Sequence, residues 1–146
     1  MTLTSALGAL AAMRCEGIDD DRHYPIGQPA PTILVHPSII WRYAHVEDAV
    51  LKPEIYDAQA GALVLGARLS LLVRSYQGIA QSDELANVSL WGDRLLAMLG
   101  ADMFLGGSLT KPLSGQMARI GVVSHSARRY IGAQIDVILS VRIEVA

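Results

Sequence analysis

The feature that most constrains this chain is its alternation of side chains from residue 134 to residue 145. Ile135, Val137, Leu139, Val141, Ile143 and Val145 fall on one side, and Gln134, Asp136, Ile138, Ser140, Arg142 and Glu144 on the other. Only a β-strand has a period of two, so one face of this segment belongs in a core and the other faces a more polar environment. Residues 62–76 repeat the pattern. Leu63, Leu65, Ala67, Leu69, Leu71 and Val73 alternate with Val64, Gly66, Arg68, Ser70, Leu72 and Arg74, giving one apolar and one mixed face. These strands are long. At about 3.3 Å per residue, residues 131–145 extend on the order of 45 Å, where a usual strand covers roughly 17–20 Å. Either the last strand bends at Gly132, or its end projects and pairs with a neighbour, since an exposed strand edge is a template for pairing.

The remaining segments fill in around these two. Residues 4–14 read as a short helix, capped by Thr4 or Ser5, with Leu7, Leu10 and Ala11 on one face and Leu3 just before them. Asp19, Asp20, Asp21 and Arg22 form a solvated turn. Pro25, Gly27, Pro29 and Pro31 make a helix-free approach to a strand at 32–36, which Pro37 breaks; residues 39–43 continue it after a kink. Residues 44–61 show no clean period and read as a long loop or arm, a length that in a compact domain is usually functional. Ser82 opens a second helix with Asp83 and Glu84 in its first turn, a stripe of Leu85, Val88, Trp91, Leu95 and Met98 or Leu99, and a stop at Gly100. Gly106, Gly107 and Ser108 form a turn. A strand at 116–123 is joined by a polar connection, residues 124–129, to the final strand, and these two make an antiparallel hairpin. The expected fold is a single α+β domain over residues 1–146, a mainly antiparallel sheet packed against two helices, with a long loop or arm at about 44–61 between the early strands.

Composition narrows the function. The chain has 146 residues, of which 51% are hydrophobic. No stretch reaches the roughly 20 uninterrupted apolar residues of a spanning helix. The surplus is better explained as surface buried against neighbouring subunits. The net charge of −2 excludes a nucleic-acid binder by bulk charge. Lys52 and Lys111 are the only lysines; arginine supplies the other cations, and arginine suits desolvated protein contacts. Cys15 is alone, which excludes an intramolecular disulfide framework or a cysteine metal cluster. The first residues lack the basic region of a secretion signal, so the chain is expected to fold in a reducing cytoplasm.

No catalytic constellation emerges. His23, His36, His45 and His125 are scattered without metal-ligand spacing. Ser124, His125 and Ser126 place hydroxyls beside an imidazole, but strand neighbours point to opposite faces, so a turn is the better reading. Asp19, Asp20 and Asp21 lack the spaced ligands of a calcium loop. The run from Gly106 to Lys111 lacks the order of a phosphate-binding loop, and Pro112 follows its lysine. The expectation is a protein that is not an enzyme and takes no cofactor and no metal. The residues left for function are interface candidates. Trp41, Tyr43 and Tyr130 are core or sheet-edge aromatics or interface anchors, with both readings open. Leu51, Lys52, Ile55 and Tyr56 are anchors within the long loop. Arg128 and Arg129 form a short basic pair suited to an acidic neighbour.

One resemblance spans nearly the whole chain. A short N-terminal helix runs into a proline-marked segment, Pro31-Thr32-Ile33-Leu34-Val35. A long strand follows at 63–76, then an amphipathic helix ending Leu95-Leu96-Ala97-Met98-Leu99. A further strand leads to Tyr130-Ile131-Gly132 and the closing alternating strand. This order resembles the tail terminator and tail-completion proteins of long-tailed bacteriophages, which join head to tail. The resemblance implies a virion structural protein at the tail–neck junction, made in the host cytoplasm. It implies a homo-oligomeric ring, usually of six subunits, that caps the tail tube protein and meets the head connector or stopper protein. DNA passes through the lumen, with transient non-specific contact at most, and no membrane is involved. The alternatives are another ring-forming virion component, such as a connector stopper or a tube-like subunit, or a small-molecule-binding α+β oligomer.

Overall fold

The computed structural model describes residues 2–44, 46–47, 50–51, 55–57, 61–76 and 82–142. Two helices, α1 (Thr2–Ala12) and α2 (Ser82–Gly100), accompany eight strands. The strands are β1 (His23–Tyr24), β2 (Ser38–Tyr43), β3 (Val46–Glu47), β4 (Val50–Leu51), β5 (Ile55–Asp57), β6 (Ala62–Ser75), β7 (Ser114–His125) and β8 (Arg128–Arg142). The main sheet runs β1-β2-β6-β8-β7, with β5 also paired to β6. Among the described strand pairs, β1–β2 is parallel and the others are antiparallel. The class is α+β, as the segment order predicts.

The two long alternating segments are the two central strands. β6 and β8 pair from Ala62 opposite Arg142 to Ser75 opposite Tyr130. Their apolar faces coincide, because Leu65, Ala67 and Leu69 stand opposite Leu139, Val137 and Ile135. All six are buried, and they form the main core with Ile39 and Trp41 of β2, Ala6 and Leu10 of α1, and Leu95 and Met98 of α2. Both helices therefore cover one face of the sheet. α2 starts at Ser82 and ends at Gly100, the cap and stop residues of the sequence pattern. α1 sits a little earlier than residues 4–14; of the expected face Leu10 is buried while Leu7 and Ala11 are partly exposed, and Ala6 is buried beside Leu10.

The long final strand solves its length problem by bending. Arg42 shares a rung with Arg68 and, through it, with Asp136, whereas His125 shares one with Arg128. In a flat sheet those rungs would lie about 25 Å apart. Yet the Arg42 guanidinium is 3.0 Å from His125 Nδ1. The β7–β8 hairpin therefore curls over the face opposite the helices. Gly132 makes the curl physically possible: a Cβ there would lie 1.8 Å from the Leu71 carbonyl oxygen. Opposite it, Gly121 has φ +129°, and the β6–β8 register shifts between Leu72 and Arg74. A bulge and facing glycines are the usual means of sharpening sheet curvature. Leu34, Ile40, Leu72, Val123 and Tyr130 fill the inside of the curl as a second, smaller core. β6 pairs with β8 from Tyr130 to Arg142 and β7 pairs with it from Arg128 to Ile138, so over the described residues the strand is accommodated by bending; residues 143–146, where its end would project, lie outside the described residues.

Three expectations change. Residues 32–36 are not a strand; the strand begins at Ser38. The prolines at 29, 31 and 37 remove ladder donors, and this stretch exposes Ile33 and Val35 while only Leu34 is buried. The stretch 44–61 is not simply a loop: β3 and β4 pair with each other, and β5 continues the main sheet along β6, Ile55 opposite Val64. The polar connection expected at 124–129 shrinks to a two-residue turn. Ser126 and Ala127 both have positive φ, 49° and 61°, as a tight hairpin turn with the handedness of the strands requires. Ser124 and His125 thus end β7, and Arg128 and Arg129 open β8.

Candidate functional site

Among the described residues, the interface candidates do not gather on one surface. Trp41 is buried in the main core, under the helices. Tyr130 is buried on the opposite face, in the second core, where its ring meets His36 edge-on at 6.5 Å. These two rings serve the chain's own packing. Tyr43 is half-buried at the end of β2. Arg128 and Arg129 are exposed at the hairpin tip, with Arg129 over the Tyr76 ring at 5.8 Å. Leu51 lies in β4, and Ile55 and Tyr56 in β5, but their side chains fall outside the described residues, as does Lys52 altogether.

What the fold brings together instead is a polar recess in the curl. Arg42 of β2 and Arg68 of β6 are direct cross-strand partners on the concave face. Arg68 pairs with Asp136 of β8 on the same rung, Nε to Oδ1 at 2.8 Å and the terminal nitrogen to Oδ2 at 3.2 Å. That hydrogen bonding raises the Arg68 guanidinium above its already high ordinary value. One rung along, Gln134 donates from Nε2 to Ser70 Oγ at 3.2 Å. The folded-over end of β7 supplies Ser124 and His125, closing a recess of about 330 Å³. His125 is buried, and both of its ring nitrogens are engaged: Arg42 donates to Nδ1, and Nε2–H donates to the Pro31 carbonyl at 2.9 Å. The hydroxyl of Ser126 is 3.5 Å from the same Nε2, so the imidazole has no free lone pair with which to take its proton. The pair so prominent in the sequence is a clamp between the hairpin tip and the 25–37 segment.

From the sequence, Ser124 and His125 stand out but read as a turn, and Arg42, Arg68, Ser70, Gln134 and Asp136 do not stand out as site residues. The signal was present in part, since Arg68 and Asp136 both sit on the polar side of their alternating strands. The pairing of Arg42 with His125 depends on the curl, which no local pattern encodes.

A second feature lies on the helix side. Leu96, Leu99 and Met103 face Leu113 of the β7 approach and Ile135 of β8 across an apolar groove of about 200 Å³. Leu96 and Met103 of its lining are exposed, as are Phe104 and, on β7, Ile120. Among the described residues β7 has one strand neighbour, β8, so its outer edge borders this groove unpaired.

His23 and Cys15 are structural. His23 is buried; its Nε2 accepts from the Cys15 amide at 3.0 Å, and Nδ1–H donates to the Asp19 carbonyl at 2.9 Å. Burial lowers its pKa, and burial raises that of the Cys15 thiol. Among the described residues no group of three or more His, Cys, Asp or Glu gathers as a metal-binding cluster. No protein-family model matches the chain, and no curated protein matches it in sequence.

Proposed function

We propose that this chain is a structural ring subunit of the tail terminator type, capping the tail tube of a long-tailed phage and joining it to the head connector. The observation that carries the reading is the unfinished edge of the subunit. Among the described residues, β7 is a 12-residue strand whose outer side has no strand partner. Beside it Leu96, Met103 and Ile120 hold apolar surface against water. A long unpaired edge flanked by apolar side chains is a place where a second chain belongs, because an isolated subunit pays for both in solubility. An α+β unit of this size, with helices on one face and a curled sheet on the other, supports repetition around an axis.

The test is functional. Purified chain is added to preassembled tail tubes, tube protein is then supplied in excess, and tube length is read by negative-stain microscopy. The proposal expects a ring at one tube end and no further growth from it. Tubes that elongate normally and carry no added density would overturn it.

A further inference from the structure

We infer that the recess inside the curled sheet is an oxyanion-binding site, taking a carboxylate or phosphate group on Arg42. The argument begins with a placement that costs stability. Arg42 and Arg68 stand directly opposite each other on adjacent antiparallel strands, a geometry that brings Cβ atoms to about 5 Å and makes like charges unfavourable. Asp136 relieves one of them only. Its two oxygens are both taken by Arg68. Arg42 has a single described partner, the uncharged Nδ1 of His125. That contact fixes where the guanidinium points without neutralising it. Among the described residues no carboxylate pairs with Arg42, and its guanidinium is aimed by a buried imidazole that is itself locked to the Pro31 carbonyl.

The rest of the lining suits the same ligand. Ser70 accepts its hydrogen bond from Gln134, which leaves the Ser70 hydroxyl hydrogen free to donate. Ser124 adds a second hydroxyl to the rim. Ile40 and Leu72 form an apolar floor beneath them. A planar guanidinium offers paired donors matched to the two oxygens of a carboxylate or phosphate. At about 330 Å³, the recess sits at the small end of ligand pockets, which run from roughly 300 Å³ upward. It accommodates one small acid, or one acidic side chain inserted by a second copy of this chain. Both sources share the chemistry, and the experiment separates them.

The full-length chain is labelled at its arginine and histidine side chains, and their resonances are followed by NMR at low salt. Inorganic phosphate and citrate are titrated as free probes, with chloride at matched ionic strength as the control. A saturable shift of the Arg42 Nε–H and His125 signals, lost in Arg42→Gln and weakened in Arg42→Lys, establishes a site for free oxyanions. A shift that instead grows with protein concentration, without added probe, and vanishes in Arg42→Gln, identifies a carboxylate of another copy as the occupant. Thermal melting of Arg42→Gln guards against misfolding as the cause of a lost signal. If Arg42→Gln melts as the wild type does, and neither probe nor protein concentration moves the wild-type signals beyond the chloride control, the recess is an unliganded structural feature and the inference is wrong.

Discussion

At the residue scale, three positions carry constraints that can be measured singly. Gly132 allows the Leu71 carbonyl to approach to where a side chain would begin. Gly132→Ala must push β6 and β8 apart at the bend, and it is expected to cost about 3 kcal/mol or more, the upper range for overpacking; urea melts of the two forms measure this. Ala127 sits at φ 61° in the hairpin turn. A left-handed residue with a Cβ costs roughly 1–2 kcal/mol, and glycine returns part of that through its freer unfolded state. Ala127→Gly should therefore raise the melting temperature slightly. His23 predicts a pH dependence. Its folded-state pKa lies below the ordinary value of 6.5, so the unfolded chain takes up a proton first as pH falls. Stability from this group is complete above that value, is lost as pH drops through it, and levels off below the folded pKa. His23→Gln should flatten that part of the stability profile, from the ordinary value of 6.5 downward. An unchanged slope would mean that His23 is free to protonate in the folded protein.

At the element scale, β8 is the test of the whole architecture. Val137 and Leu139 are sealed between sheet and helices, so Leu139→Asp places an unpaired charge in the core and should cost about 4 kcal/mol or more. Asp136 lies on the other face in a half-exposed pair with Arg68. Asp136→Asn should cost within about 1 kcal/mol. Equal tolerance at both positions, measured by soluble yield and urea denaturation, would contradict the assigned face. This strand was legible because its alternation runs unbroken for many residues, and the same holds for β6 and for α2 with its Ser82 start and Gly100 stop. What stayed illegible depends on tertiary context. Two-residue strands such as β1 and β3 are shorter than any period that could mark them. β5 exists because β6 extends past the end of β2 and offers it an edge. The Ser126–Ala127 turn lacks the Asn-Gly or Asp-Gly signature that usually marks such hairpins. The recess combines residues from three parts of the chain, joined only by a curl that Gly132, Gly121 and a bulge create together. The sequence reading reached Gly132 as a place to bend, but not what the bend would bring together.

At the scale of the whole molecule, two surfaces ask for partners, and they differ in character. The groove beside β7 is apolar and edged by unpaired backbone, the kind of surface that holds subunits together permanently. The recess is polar and cationic, suited to one specific contact. The central claim concerns the first: the chain completes itself by assembling with copies of itself. Replacing Leu96 and Ile120 together with glutamate should leave the subunit folded, because both side chains are exposed, and should abolish assembly. The most direct measurement is the native mass of the full-length chain, alone and with tail tubes, across a range of concentrations. The account predicts a closed ring, a single discrete multiple of 15.7 kDa, formed in solution or on the tube end and absent in the double variant. A wild-type chain that remains at the monomer mass at every concentration, with tubes present as well as without, would contradict it.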